Sequence, residues 1–215
     1  MPVRKIPISN RAVTGLHAGT GARYESSLER DFFECMMMEP DFDRLEAQPI
    51  KIKYRTSANK SRRYTPDVLV HFKSLAAGKP PRRSILCEVK YREELENEFD
   101  KFRERFLVAR RFARERGWIF KVVTERRIRT IRFANLKFLF RYKKRLVSQS
   151  DRELLLELIA TDKVVTPKIL INSVSESPMR QAELICCLWH LVANGLISVD
   201  LQSPLTMNSQ ISLRK

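Results

Sequence analysis

The chain has 215 residues, 43% of them hydrophobic and 31% charged, which suits one large domain or an ordinary one with a small companion and is too apolar for wholesale disorder. Its 41 Lys and Arg against 25 Asp and Glu give a net charge of +16, which calls for a polyanionic partner, nucleic acid before anionic membrane. There is no apolar run long enough for a membrane span, no secretory-type stretch in MPVRKIPISNRAVTG, and no Cys-x-x-Cys or zinc spacing among Cys35, Cys87, Cys186 and Cys187; a cytoplasmic protein with reduced thiols is expected.

Residues 1–20 read as an irregular arm. Residues 26–39 read as a helix capped by Ser26 and closed by Pro40, with Leu28, Phe32, Cys35 and Met36 on one face. A strand is expected over 49–55, a basic loop over 57–63 and a second strand over 64–72 with Pro66 near its start. After a turn over 73–83 come a third strand (84–91), a long helix (92–116) ended by Gly117, and a fourth strand (118–124). Phe99, Phe102, Phe106 and Leu107 are placed on the buried side of the long helix.

The composition changes near residue 147. Helices are expected over 151–160, over 166–172 behind the Thr166-Pro167 start signal, and over 178–194 before Gly195, then a short strand over 196–201. Three helices and a strand is the order of a winged-helix module. The expected organisation is a first domain over 1–147, a winged-helix-like domain over 148–202 and a flexible tail over 203–215.

The positive charge is concentrated. Residues 51–63 hold six basic and no acidic residues, and residues 101–145 hold 17 basic and three acidic ones. The segment between them is slightly acidic and carries Pro66-Asp67 and Glu88-Val89-Lys90. Glu88 and Lys90, two apart on one strand, face the same way, and a hairpin brings Asp67 beside them. Two carboxylates bind a hard cation such as Mg²⁺ or Mn²⁺. A lysine beside them can orient water and offset charge on a phosphodiester. Each charge sits in an apolar strand (Val68, Leu69, Val70; Ile85, Leu86, Val89), where it is costly unless used. An ordinary turn residue at Asp67, or a solvated Glu88–Lys90 pair, explains any one of the three but explains the trio poorly. Glu29 completes Ser26-x-x-Glu29, a helix capping box that needs no further role.

Taken in order, the helix Ser26–Phe33 (SLERDFF after its cap), Tyr64–Asp67 (YTPD), Cys87–Tyr91 and VVTERRIR-x-x-RFANLKFL (122–139) resemble the TnsA endonuclease subunit of heteromeric, Tn7-like transposases, within the PD-(D/E)xK nuclease superfamily. The compact length is similar to that of chains from CRISPR-associated transposons. The resemblance implies an α/β fold with a restriction-endonuclease-like core, a mixed sheet flanked by helices, followed by the small, mostly helical domain. It implies an Mg²⁺-dependent (or Mn²⁺-dependent) DNA endonuclease that cuts the 5′ ends of a transposon, with Glu29, Asp67, Glu88 and Lys90 as the catalytic set. The metal ligands would be Asp67, Glu88, the Val89 carbonyl and Glu29. The implied partners are double-stranded transposon-end DNA, a TnsB-type transposase, and a TnsC-type ATPase regulator bound through the C-terminal region.

Lys51, Lys53, Lys60, Arg62 and Arg63, together with Arg126, Arg127, Arg129 and Arg132, are candidates for phosphate contacts that position DNA without reading bases. His71 is expected on a solvent-facing strand position, His190 in a core or interface, and Met36–Met38 as packing. Two alternatives share the motif: a restriction or repair nuclease acting alone, and a DNA-binding adaptor that has kept the fold without the chemistry.

Overall fold

The computed structural model describes residues 13–161 and 165–214, which form two compact units divided between Arg129 and Thr130. In the first unit two short strands, β1 (Gly15–Leu16) and β2 (Arg23–Tyr24), pair antiparallel ahead of helix α1 (Ser27–Met37). The Ser26 hydroxyl accepts the Glu29 amide and caps α1, as the sequence pattern requires. Strands β3 (Phe42–Ala47), β6 (Val68–Phe72), β7 (Ile85–Val89) and β8 (Ile119–Val123) form one mixed sheet in the order β3-β6-β7-β8, antiparallel except for the last pair. Helix α2 (Arg92–Glu115) makes the crossover that the parallel β7–β8 pair needs, and a short α3 (Glu125–Ile128) follows. Strands β4 (Ile52–Arg55) and β5 (Ser61–Tyr64) form a separate two-stranded hairpin.

The sheet is covered on both faces. Leu28, Phe32 and Phe33 of α1 pack on Val68, Val70, Cys87 and Val89. Ala113 and Phe112 of α2 cover Leu69 and Leu86 on the other side. All five residues of β7 are buried, and by alternation its one charged member, Glu88, lies on the α2 face.

Several expectations change. The strand Phe42–Ala47 replaces an unassigned stretch: half of its residues are charged, and Leu45 alone is buried, as suits a sheet edge. The strand expected over 64–72 splits at Thr65-Pro66-Asp67, since Pro66 has no amide to give a ladder. Phe99 and Leu107 are 56% and 57% exposed: the buried stripe of α2 runs along Phe102, Ala109 and Ala113, Leu107 lies well round the helix from it, and Phe99 directly follows Glu98, where α2 leaves helical geometry (φ −126°). Residues 1–12 of the expected arm lie outside the described residues.

The second unit contains α4 (Ile131–Phe140), α5 (Gln149–Thr161), α6 (Pro167–Val174), α7 (Pro178–Ala193), β9 (Ile197–Val199) and β10 (Ile211–Leu213). Leu155, Ile159, Leu170, Leu184, Leu188 and Trp189 are at its centre, with Leu139 of α4 among them. That packing moves the division between units from the expected 147/148 back to 129/130. The expected flexible tail is also corrected. Strand β10 pairs antiparallel with β9, and Ile211 is buried. Asn135 of α4, itself buried, donates to the Leu201 and Ser203 carbonyls (2.9 and 2.8 Å) and accepts the Leu205 amide (3.1 Å), which fixes the chain between the two strands.

Candidate active site

Three of the four expected catalytic side chains meet on the α2 face of the sheet. Asp67 stands just before β6, and its Oδ2 accepts the Val89 amide at 2.7 Å. Glu88 is 4% exposed. Lys90, immediately beyond β7, places Nζ 3.8 Å from Asp67 Oδ2 and 3.5 Å from Glu88 Oε1. Pro66 and the β6–β7 pairing do the positioning: the proline ends the hairpin connection, and the antiparallel register puts Val68 opposite Cys87, one residue from Glu88.

Burial raises the Asp67 carboxyl above the usual aspartate range, and the neighbouring Glu88 adds to the rise; Lys90 and the Val89 amide only partly oppose it. Burial likewise raises Glu88, against the pull of Lys90 and Tyr64. For Lys90, burial works to lower the ammonium, but Asp67 and Glu88 outweigh it and the net direction is up. The pocket therefore holds two oxygen-donor carboxylates with one permanent cation between them. Hard oxygen donors in this number suit Mg²⁺, which characteristically takes one or two protein carboxylates and fills its shell with water and substrate phosphate.

Glu29 is not part of that pair. Its Oε2 accepts the Glu25 amide and its Oε1 the Ser26 hydroxyl, both at 3.0 Å, at the start of α1. Among the described residues no three His, Cys, Asp or Glu side chains are grouped to hold one ion, and Glu29 is engaged in the cap of α1. It is still near enough to raise Asp67 and Lys90 electrostatically.

Two residues of the pocket carried no role in the sequence reading. Tyr64, the last residue of β5, is 5% exposed and donates its hydroxyl to Glu88 Oε2 at 2.6 Å. Its own ionisation is pushed far up, first by burial and then by Glu88. It stands in the YTPD motif, three residues before Asp67, and that proximity was the available signal. Arg105 lies on the same stripe of α2 as Phe102 and Ala109, and its guanidinium is close enough to lower Glu88 and Tyr64. Arg105 itself is exposed.

The phosphate-contact candidates separate into distinct groups. Lys53, Arg62 and Arg63 are exposed on the hairpin, Lys60 is exposed in its turn, and Lys51 is exposed just before it. Arg127 lines a cavity of about 430 Å³ with Phe32, Cys35, Met36 and Cys87, on the α1 side of the sheet and away from Glu88. Arg126, beside it on α3, is exposed. Arg129 is committed to Asp31 (2.8 Å) and Ser27 (3.2 Å). Arg132 is half-buried in the second unit. His71 is half-buried between Glu46 and Ser84, and His190 contacts the Tyr142 carbonyl. All four cysteines are free.

A mixed, helix-flanked sheet with a carboxylate pair and a lysine at the ends of its central strands defines a restriction-endonuclease-like nuclease core of the PD-(D/E)xK class. Comparison with family models narrows this. Residues 39–125 match the model described as TnsA-like endonuclease N terminal, and residues 127–201 match TnsA endonuclease C terminal. The chain belongs to the TnsA endonuclease family: it is a nuclease subunit of a Tn7-like transposase, acting on DNA with transposase partners. The Ser26–Phe33 helix lies before the matched segment. No curated protein matches the chain. Among the described residues no helix is long and apolar enough to cross a membrane.

Proposed function

We propose that this protein makes the metal-dependent cuts at the 5′ ends of its transposon. The observation that carries the reading is the convergence of Asp67, Glu88 and Lys90 on one buried spot of the α2 face. Asp67 and Glu88, with the Val89 carbonyl, would hold Mg²⁺ or Mn²⁺. When bound, that ion supplies a Lewis-acid hold on the scissile phosphate and a more acidic water. Lys90 orients the attacking water and offsets the charge that grows on phosphorus oxygens. The water oxygen bonds to phosphorus, one phosphorus–oxygen ester bond breaks, and the departing oxygen ends protonated. Tyr64 restrains one oxygen of Glu88, which leaves Oε1 on the Lys90 side. Glu29 contributes at longer range, as a charge beside the pair. The basic hairpin holds the backbone of the duplex. A TnsB-type transposase would read the transposon ends, and a TnsC-type ATPase would engage the second unit through residues 146–215, whose six basic and seven acidic residues suit protein better than DNA. The reaction would take place in the bacterial cytoplasm, where the free thiols persist.

The test is a nicking assay on a duplex carrying a transposon end, with and without the transposase, in Mg²⁺ and in Ca²⁺. Cutting should require the partner and Mg²⁺. Asp67→Ala should abolish it, and Lys90→Ala should lower it by about 10²–10³-fold, while both variants still assemble with DNA and partner. Full cleavage by either variant overturns the proposal. Efficient cutting by the isolated chain would favour a nuclease acting alone.

A further inference from the structure

The hairpin and the carboxylate pocket are joined at Tyr64. On the hairpin's outer face Lys53 stands directly opposite Arg63, and Arg55 follows on the same side of β4. All three side chains are exposed. Like charges directly opposite across antiparallel strands destabilise a hairpin unless an anion sits against them. The inner face is tied down. Ile52 and Tyr64 pack on Ala109, with Val108 and Phe112 of α2 beside them, and the Ser57 amide and hydroxyl both donate to Glu104 (3.1 and 2.7 Å). Alternation then does the rest: Tyr64 follows outward-facing Arg63 and turns inward, onto Glu88. Asp67 comes three residues later along the same chain. One metal carboxylate is thus linked to the hairpin through the backbone and the other through a phenol.

We propose that the hairpin transmits DNA binding to the catalytic carboxylates: Lys53, Arg55 and Arg63 take duplex phosphates, and Tyr64, as a positioning residue, sets Glu88 for a divalent cation. This rests on the nuclease reading above. Linkage makes the effect reciprocal, so DNA that tightens cation binding is itself bound more tightly by the same factor in the cation's presence.

The test uses the full chain and Ca²⁺, titrated calorimetrically alone and with a saturating short duplex, with DNA affinity measured by fluorescence anisotropy. In the unaltered protein the duplex should tighten Ca²⁺ by about tenfold. Tyr64→Phe, which keeps the ring, should weaken Ca²⁺ by about tenfold and leave Ca²⁺-free DNA binding unchanged. The pair Lys53→Gln with Arg63→Gln should reduce the salt slope of DNA binding by about 2 and leave DNA-free Ca²⁺ affinity intact. Each should reduce the DNA-driven tightening, and all three substitutions together should reduce it no further than either set alone. The inference is overturned if Tyr64→Phe leaves Ca²⁺ affinity and tightening as they were, or if the two sets act independently. A chain with Asp67→Ala that keeps full Ca²⁺ affinity overturns the nuclease reading itself, and this inference with it.

Discussion

Replacing Asp67 by Asn should make the cation-free protein more stable while it destroys the reaction. The charged Asp67 faces Glu88 and Glu29 on one side and Lys90 on the other, beside the phenol of Tyr64, and burial pushes its pKa up from 3.8 to about 8. Between those values the native chain keeps a proton that the unfolded chain has lost. Stability therefore falls as pH rises through that window and is lowest above it, where Asp67 is charged in both states. Each unit of such a rise corresponds to about 1.4 kcal/mol. Lys90 keeps Glu88 as a partner at 3.5 Å, so the substitution leaves no unpaired ammonium. Asparagine keeps an oxygen for the Val89 amide, so the 2.7 Å bond has a successor. For a unit of this size the gain is a rise of roughly 3–5 °C per kcal/mol in the calorimetric transition, measured in EDTA. The gap between variant and parent should be largest above about pH 8 and should close as pH falls towards 3.8, where the parent's Asp67 is neutral in both states. Ca²⁺ at a hundredfold excess over its Kd should stabilise the parent by about 2.7 kcal/mol and the variant by less. A variant that melts below the parent in EDTA at alkaline pH, or a gap that ignores pH, would refute this account of the pocket.

Two further expectations test the corrected parts of the fold. Asn135→Ala strips three hydrogen bonds from the stretch between β9 and β10 and should cost the second unit about 2–4 kcal/mol in urea unfolding. Arg129→Ala removes one partner each from Asp31 and Ser27 and should cost the first unit about 1–2 kcal/mol, with the salt slope of DNA binding unmoved, whereas Arg63→Gln should leave stability alone and lower that slope by about 0.9.

The active-site strands were legible because their signal is local. A proline before an aspartate, and a glutamate two residues from a lysine inside apolar runs, each fix a face by alternation, and the register of β6 with β7 delivers the convergence that this alternation allows. Strand β3 was hidden because FDRLEA buries one leucine and otherwise reads as a charged loop; its partner β6 supplies the reason it is extended. Tyr64 was hidden differently. Nothing in one sequence says whether a tyrosine before Thr-Pro-Asp turns inward, since that depends on where the hairpin ends and the sheet begins. The basic residues illustrate the same limit. Arg63 and Arg129 look alike in a charge map, yet one is exposed opposite Lys53 and the other is bonded to a buried aspartate. The late tail misled because its apolar residues are few, and the single buried Ile211 gains its meaning only from pairing with β9.

On the proposed reading, the pocket's electrostatics would make a nuclease subunit wait for its substrate. Lys90 stands within 3.8 Å of both carboxylates and neutralises part of their charge. A dication entering the DNA-free pocket meets a resident ammonium and must displace its influence, which keeps affinity low. A phosphate arriving on a backbone held by the hairpin would add negative charge beside the same oxygens and restore the attraction. Cation and DNA would thus favour one another. The stability lost by burying Asp67 and Glu88 together is recovered only in the complex in which they act.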